Sequence, residues 1–577
     1  MKKFPSPLPP GVQQFVLLTR HFFNRLFLND LVAFEEQMKE RVIAVLAFLA
    51  IFSAHLSNVA LFKYSLLPDK GGSWVEKTYI FTFFMVIMGL VSVLQWEVIF
   101  PDTRDYLNLK PLPVRTGLVF AAKFTSLVLF VSFFALGMNA LSTFVFAYYL
   151  PGWQSTSLLY LLKFLIVHLF CGLAACFSIF FLSIFLLGMT MVILGPRIFR
   201  LFSSLLRGVL MIGLAFLLFF FLLQSMEGGL PKLFTHLPEL RATQTSSLFY
   251  FPPLWFVGLY ETWLGTTDPF FLKLRWLALL ALFLPSLAFF LTMGLGYQRQ
   301  LKKPGKSKRT KPILHQPRRA LSRILHKLLL CHPLQRAVFY FYQAGLKRSP
   351  PHRLRLISYL AVAIALALVV MGLGGGRAGD RPLSDTLLFS LTFILCFFTL
   401  VAVRTTVTLP IAHEANWVWR LTEQEKKHHY FSGLRKGLFF FPLLPLFVLL
   451  LLFYGYFWDW SKAGLHCLFG LATAWLLAEG LFLRFQKIPF TCSFMPGKAR
   501  IQYFWLVYLA AFLVFVNSFS WLEGILFRYP EGFYIYFGVA AGLIAGVRLY
   551  QHLLFYRRAP LIYEEKLEMV MITLEAE

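Results

Sequence analysis

Residues 299–353 read RQLKKPGKSKRTKPILHQPRRALSRILHKLLLCHPLQRAVFYFYQAGLKRSPPHR, a segment with about fifteen Lys and Arg and no Asp or Glu. A positive block of this kind next to membrane spans belongs on the cytoplasmic side, so it orients the segments around it. Six apolar stretches precede it and six follow it. We therefore predict two six-span halves joined by a basic cytoplasmic linker, a layout typical of transporters built from repeats.

The composition is that of a protein embedded in lipid. Of the 577 residues, 58% are hydrophobic and only 14% are charged, whereas soluble domains carry about a quarter charged residues. The net charge is +28, which in a soluble protein would suggest nucleic acid as a partner. Here the positive charges lie in loops beside the spans. We therefore expect membrane lipids as partners, with anionic headgroups at the basic linker, and no nucleic acid.

Twelve stretches have about the 20 apolar residues that a membrane span needs. The loops predicted inside are richer in Lys and Arg, which places both termini in the cytoplasm. The fourth stretch is long enough to split, but splitting it would put the linker outside, so we keep one long or tilted helix.

The predicted fold class is an all-α polytopic membrane protein, with about 12 transmembrane helices in two six-helix repeats. The predicted spans are about 42–62, 78–100, 117–149, 158–194, 201–225, 274–297, 355–373, 384–409, 434–456, 463–484, 502–522 and 532–552.

The two halves have matching layouts. An amphipathic stretch precedes the first span of each half, and a proline, Pro101 or Pro410, ends the second span. Matching features lie about 310 residues apart, which favours an internal duplication over two halves that merely share a span count. The predicted domains are an interfacial helix region (1–41), a first half (42–298) with an outer loop at about 227–272, the linker with its own interfacial helix (299–353), a second half (354–556) and an acidic cytoplasmic tail (557–577).

Two polar segments follow the second span of each half, at 101–115 and 410–423. Each reads as a short helix with acidic residues at its start, where the helix dipole favours them, and with bulky apolar groups further on. Such a helix docks a soluble partner, or else it lies on lipid, although lipid-seeking helices are usually one-sidedly basic. The candidate docking residues are Asp102, Arg104, Asp105, Tyr106, Leu109, His413, Glu414, Trp417 and Arg420.

An aromatic segment with few charges ends the long outer loop of the first half. This composition predicts a short interfacial or re-entrant helix at the depth of the lipid headgroups. Its marker residues are Pro252, Pro253, Trp255, Tyr260 and Trp263.

Polar residues deep in the predicted spans are candidates for a substrate pathway, because burying them in lipid is costly. Each is more often a hydrogen-bonding residue between helices than a ligand. His168 is the strongest candidate because it lies near the middle of its span, and no carboxylate is recognised deep in the bundle. The candidates are His55, Asn139, His168 and Asn517.

No catalytic motif is present. The Gly-Lys-Ser at 305–307 has Gln300 where the first glycine of a nucleotide-binding P-loop belongs. Neither G-x-S-x-G nor H-E-x-x-H occurs, and no metal-ligand spacing is found. We expect no catalytic, cofactor-binding or metal-binding residue and no enzymatic activity of this chain alone.

The layout resembles the permease subunits of ABC transporters, specifically ABC-2 type exporters. The resemblance rests on the interfacial helix, the six spans, the segment between the second and third spans, and the run from Asp105 to Arg115, with Pro-Leu-Pro followed by a basic residue. The segments 251–265, 413–423 and 487–498 are similar to large bacterial permease-like proteins of this group. The resemblance implies a fused permease in the bacterial cytoplasmic (inner) membrane. It also implies two copies of a separate ATPase subunit docking at both polar segments. Because the spans are apolar and carry so few charges, we expect the substrate to be amphipathic or lipid-linked.

Three other interpretations stay open. A secondary transporter of the major facilitator type would also have six plus six spans, but its glycine-containing loop after the second span is missing from 101–115. A membrane scaffold or assembly protein would use the basic linker and the acidic tail to recruit partners. A lipid-modifying enzyme is the fourth interpretation.

Overall fold

The structure, a computed structural model, describes residues 9–27, 35–66, 71–96, 109, 111–151, 157–226, 232–243, 245–301, 326, 329–377, 385–411, 416–423, 427–492, 505–555 and 561–563. All regular elements in these ranges are helical. Twelve helical segments are long and apolar enough to cross a membrane, and each overlaps one predicted span. The predicted all-α polytopic membrane fold is therefore confirmed. The segments are Ile43–Ser65, Trp74–Leu94, Gly117–Tyr149, Leu158–Leu194, Phe202–Leu223, Pro269–Phe289, Pro350–Gly372, Asp385–Val407, His428–Phe457, Trp460–Leu481, Val507–Arg528 and Gly532–Leu553.

The chain divides into two compact units, Met1–Lys306 and Ser307–Glu577, and the division falls within the predicted basic linker. Unit 1 contains α1 (Pro10–Phe27), α2 (Glu35–Leu61), α3 (Trp74–Leu94), α4 (Thr116–Tyr149), α5 (Leu158–Met226), α6 (Lys232–Thr235), α7 (Leu237–Ala242), α8 (Pro252–Leu264) and α9 (Pro269–Leu301). Unit 2 contains α10 (Pro333–Arg348), α11 (Pro350–Arg377), α12 (Asp385–Val407), α13 (Asn416–Leu421), α14 (His428–Leu438), α15 (Leu444–Phe457), α16 (Trp460–Leu481), α17 (Trp505–Arg528) and α18 (Gly532–Tyr550).

Helix α3 is the central helix of unit 1. All its residues from Trp74 to Val86 are buried, and it packs against α2, α4, α5 and α8. A helix that is apolar on all sides is suited to this position because every face meets protein. Helix α9 packs on the outside of this group, against α5 and α8.

Helix α5 contains two membrane spans and turns back on itself. Its 69 residues would reach about 100 Å if straight, far more than the roughly 30 Å of a bilayer core. A Cβ placed on Gly89 would nevertheless lie 3.6 Å from Ile179 and 3.1 Å from Leu214. The two parts of α5 are thus antiparallel neighbours on α3. The predicted loop between the fourth and fifth spans is instead a reversal within a continuous run of helical residues.

Helices α8 and α9 form a close hairpin at the end of unit 1 where α3, α5 and α9 begin. A Cβ on Gly258 would lie 2.9 Å from the carbonyl oxygen of Phe271, so only glycine fits this contact. Gly265 ends α8 with a φ of 118°, a left-handed conformation that glycine adopts without strain. Buried residues of α8 also contact α3 and α5, which makes α8 part of the packed bundle.

In unit 2, α12 takes the central place and packs against α11, α16 and α17. Helix α16 also contacts α15 and α18. A π-helical turn, Phe439–Leu443, joins α14 to α15 within one span and accommodates Pro442.

Candidate functional site

The predicted docking segments lie only partly within the described residues. Leu109 is half-buried, and Trp417 and Arg420 lie on the short helix α13. The remaining candidates lie outside the described residues: Asp102, Arg104, Asp105, Tyr106, His413 and Glu414.

A hydrophobic core at the ends of the spans covers the side of unit 2 where α12 ends and α14 begins. It combines α10, the start of α14 and the segment 482–492, and we call these parts together the end platform. Tyr342 stacks on Phe490 with ring centroids 6.1 Å apart. The backbone N–H of Phe490 donates to Val407 O (3.0 Å), and that of Ile411 donates to Phe490 O (3.0 Å). These bonds tie the chain that leaves α12 to the end platform.

Helix α13 is seated on the end platform by Trp419. Its ring lies 5.4 Å from that of Phe341 and 6.2 Å from that of Tyr430. The Tyr563 hydroxyl donates to Trp419 O at 3.1 Å. Burial, together with the nearby Glu423 carboxylate, raises the pKa of Tyr563, so the hydroxyl keeps its proton and remains a donor.

The opposite side of α13 presents apolar groups to the surroundings. Trp417 is 58% exposed, Val418 43% and Leu421 77%. Because Trp419 is anchored beneath them, these three side chains form a small apolar face on a fixed support, which is the arrangement of an interface anchor.

The aromatic outer segment forms α8, and its residues are buried to different degrees. Pro253 and Tyr260 are buried, Pro252 and Trp255 are half-buried, and Trp263 is exposed. Tyr260 reaches between α3 and α5, and Trp263 contacts Phe170 with centroids 4.8 Å apart. The segment is therefore a helix inserted among the span ends.

The four candidate pathway residues do not converge on one site. His55 and Asn517 are exposed on the surfaces of their units, and Asn517 Nδ2 donates to the carbonyl oxygen of Leu513 on its own helix (2.8 Å). Asn139 and His168 are fully buried in the interface of α4 and α5. Of the four candidates, only Asn139 and His168 therefore lie in the interior of a unit.

His168 lies in an aromatic box. Its ring centroid is 4.5 Å from Phe146, 5.7 Å from Phe81 and 5.6 Å from Tyr260. Neither ring nitrogen has a hydrogen-bond partner in the described part of the chain, and neither does the Tyr260 hydroxyl. Burial, with Glu261 beside it, raises the pKa of Tyr260 well above its usual value, so the hydroxyl is a neutral donor.

Unit 2 contains a buried carboxylate, near the end of a span, that the sequence did not lead us to expect. Glu523 is fully buried in unit 2, and its Oε1 lies 2.6 Å from Nδ1 of the buried His466. Nε2 of His466 lies 2.7 Å from the Thr392 hydroxyl. Sequence analysis missed the pair because Glu523 falls one residue beyond the predicted span 502–522, whereas α17 continues to Arg528. Extending each span to its next turn signal would have brought Glu523 inside.

Corresponding spans of the two units build similar histidine sites. In unit 1 the second, third and fourth spans supply Phe81, Phe146 and His168. In unit 2 the corresponding second, third and fourth spans supply Phe389, Tyr454 and His466. The ring centroid of His466 lies 5.5 Å from that of Phe389 and 4.4 Å from that of Tyr454. The third neighbour differs, because it is Tyr260 in unit 1 and Glu523 in unit 2.

Within the described residues, no group of three or more His, Cys, Asp or Glu is placed to hold a metal ion. Comparison with known proteins finds no matching family model, no similar curated protein and no similar solved structure.

Proposed function

We propose that this multi-pass membrane protein is the permease component of an ATP-driven exporter of the ABC-2 type. A separate ATPase chain, in two copies, would supply the energy. The observation that carries the proposal is the apolar face of α13, where Trp417 and Leu421 are exposed while Trp419 anchors the helix. Tryptophan on a rigid support is a frequent anchor of protein interfaces.

The charges of the neighbouring loops support the side on which this docking takes place. Helix α13 follows α12, and the segment between α12 and α14 carries Arg420, Lys426 and Lys427. Positive residues concentrate in cytoplasmic loops. The proposal therefore puts α13 on the cytoplasmic side of a bacterial inner membrane, where a soluble ATPase is found.

A pocket in unit 1 supports an amphipathic or lipid-linked substrate. It has a volume of about 440 Å³ and lies among α2, α4 and α5. Its walls are almost wholly apolar, and Asn58 and Tyr149 form a hydrogen bond of 2.7 Å at its edge. An apolar pocket with one polar edge suits a chain with a polar head. The lining residues are Asn58, Phe144, Val145, Ala147, Tyr148, Tyr149, Leu161 and Leu165.

We expect a stoichiometric P-loop ATPase to co-purify with the tagged protein from native membranes in mild detergent. In the double variant W417S/L421S, the amount of ATPase that co-purifies should fall at least about tenfold. The reason is that loss of one tryptophan anchor that the partner buries costs about 2 kcal/mol or more of binding free energy. Mass spectrometry of the purified complex measures both results. A matched control is Y456S/Y534S, which replaces two aromatic side chains that are 85% and 82% exposed. Both lie at the ends of their spans that face away from α13.

The control should retain the ATPase in full. Absence of any ATPase from the intact wild-type protein, or equal retention by W417S/L421S, would contradict the docking proposal.

Charge reversal at Asp102, Asp105 and Glu414 together should abolish ATPase binding without lowering the yield of the protein. The acidic side chains at the start of both polar segments would otherwise complement a positively charged partner surface. Pull-down of the triple variant with the identified ATPase measures this effect. Unchanged binding would remove the acidic residues from the interface.

A proton-coupled secondary carrier is the second candidate function. The fully buried Glu523, hydrogen-bonded to His466, favours it, because a carboxylate inside a helical bundle is the usual coupling group of such carriers. An ATPase in stoichiometric amount would decide for the permease. Proton-driven uptake into vesicles that contain the purified chain alone would decide for the carrier.

A further inference from the structure

A buried polar network crosses four helices of unit 2. It joins Tyr454 on α15, Thr392 on α12, His466 on α16 and Glu523 on α17. Thr392, Tyr454, His466 and Glu523 are all 0% exposed. Placing this many polar groups inside a membrane bundle is costly unless they satisfy one another, so the arrangement needs an explanation.

The direction of the hydrogen bonds follows from one backbone carbonyl. Leu388 O can only accept, so the Tyr454 hydroxyl donates to it at 2.7 Å. The Tyr454 oxygen then accepts from the Thr392 hydroxyl at 2.9 Å. The Thr392 oxygen is left to accept, and it therefore receives Nε2–H of His466 at 2.7 Å. The chain of donors fixes the proton of the imidazole on Nε2.

One further proton must lie between His466 and Glu523. Because Nε2 carries the imidazole proton, Nδ1 presents a lone pair to Glu523 Oε1 at 2.6 Å. An ionised carboxylate facing that lone pair would repel it. A single proton shared between Nδ1 and Oε1 removes this repulsion and makes the pair neutral overall.

Nearby groups do not replace that proton. Lys462 lies one turn before His466, but its Nζ is paired with Asp385 Oδ2 at 2.9 Å. Among the described residues, no ion pair joins Glu523 to a Lys or Arg, and Glu523 Oε2 has no hydrogen-bond partner. The titratable and charged groups around the pair are Lys462 and Cys467 of α16, Asp385 and Cys396 of α12, Tyr454 of α15 and Tyr536 of α18.

Trp458 separates the network from the end of the spans. Its ring stacks on Tyr454 at 4.9 Å and meets His466 edge-on at 5.4 Å. Its Nε1–H donates to Asp385 Oδ1 at 3.1 Å, next to the partly exposed Asp385–Lys462 pair. Trp458 thus covers the network on this side and is hydrogen-bonded to the partly exposed ion pair of Asp385 and Lys462.

We propose that His466 and Glu523 form a binding site for one exchangeable proton in unit 2, covered by Trp458. On release, the bond between the proton and the pair breaks, the proton passes to water at the span end, and Glu523 remains as the carboxylate. The bare charge disfavours the packed arrangement of α12, α15, α16 and α17, so proton release favours a looser one. The site does not depend on the docking proposal, because its evidence lies at the opposite end of unit 2 from α13.

Unit 1 supplies a natural comparison. His168 occupies the corresponding place, but its neighbours are Phe146 instead of Tyr454 and Tyr260 instead of Glu523. Within the described part of the chain, neither ring nitrogen of His168 is hydrogen-bonded to a carboxylate, so it has no partner with which to share a proton. H168Q is therefore the matched control for changes at His466 and Glu523, since it alters a buried histidine in an equivalent aromatic setting.

Infrared difference spectroscopy of the purified full chain in lipid nanodiscs, between about pH 5 and about pH 9, tests the proposal. We expect the carbonyl band of one protonated carboxyl group to be lost as the pH rises. The band should be missing at every pH in E523Q and should remain in H168Q. A carboxyl band that is insensitive to pH, or one that persists in E523Q, would overturn the proposal.

The variant Y454F provides a second test in case E523Q does not fold. We expect Y454F to fold, because unit 1 has a phenylalanine, Phe146, in the corresponding position. Without the Tyr454 oxygen, the Thr392 hydroxyl is free to donate to Nε2, which moves the imidazole proton to Nδ1, where it donates to the Glu523 carboxylate. In Y454F, the pair of His466 and Glu523 without the shared proton therefore gains a hydrogen bond. The affinity of this pair for the shared proton should fall about tenfold. An unchanged midpoint in folded Y454F would also overturn the proposal.

Discussion

Replacing Gly172 with alanine should lower the free energy of unfolding of unit 1 by about 3 kcal/mol. A Cβ at this position would lie 2.7 Å from Asn139 Cγ and 2.9 Å from its Nδ2. The Asn139 side chain cannot easily move away, because it is fully buried and its Nδ2 donates to Ala135 O at 2.8 Å. The added methyl group therefore forces α4 and α5 apart. Glycine at this contact follows the general use of small residues where membrane helices approach closely.

Gly213 provides the control on the same helix. A Cβ there meets no atom within 4 Å, so G213A should not destabilise the protein, and the higher helix propensity of alanine should stabilise it by no more than about 1 kcal/mol. The fraction of monodisperse protein that survives heating in detergent, measured by size-exclusion chromatography, compares the two variants. Equal melting curves for G172A and G213A would mean that α4 and α5 do not pack as described.

Replacing Lys77 with methionine should cost about 3 kcal/mol of stability by breaking a buried ion pair. Lys77 Nζ lies 2.6 Å from Glu261 Oε1, and the two side chains are only 4% and 14% exposed. The Lys77 ammonium also lies 4.4 Å from the centre of the Tyr260 ring. K77M leaves the Glu261 carboxylate without its cation in a poorly solvated place, and it removes the ion pair that joins α8 to α3.

The double variant K77M/E261M separates the lost pair from the stranded charge. It should recover most of the stability lost in K77M, because two apolar groups of similar size replace a buried pair with little net cost. K462M is the control, since its partner Asp385 is 54% exposed and exposed pairs contribute about 0–1 kcal/mol. Thermal unfolding of the four proteins measures the effects. A K77M loss no greater than that of K462M would place Glu261 in solvent.

Much of the fold follows from local properties of the chain. All twelve spans were predicted, because crossing a bilayer requires about 20 consecutive apolar residues and this signal is contained in each segment alone. The composition of the 251–265 segment likewise predicted a separate helix there, which is α8. The continuous helix through the α5 reversal was not predicted, since two basic residues near 197–200 indicated an ordinary loop.

The candidate sites could be predicted only in part. Trp417 and Arg420 lie on a short helix between the second and third spans of unit 2, as the sequence predicted, but the contacts of Trp419 with Phe341 and Tyr430 were invisible in the pattern of residues. His55 and Asn517 show the same limit, because a polar residue in an apolar span faces either the interior or the surface. Periodicity could not settle this, since these spans are apolar on nearly every face.

The number of spans and their embedding in a membrane are properties that the amino-acid order alone dictates, since each depends on hydrophobicity over one short window. The proton-sharing pair depends instead on packing. His466 and Glu523 lie 57 residues apart on different helices, and each is an ordinary polar residue near the end of a span when considered alone. They meet because α16 and α17 turn particular faces toward α12. That choice of faces is made by the fit of side chains across three helices, which no single segment encodes.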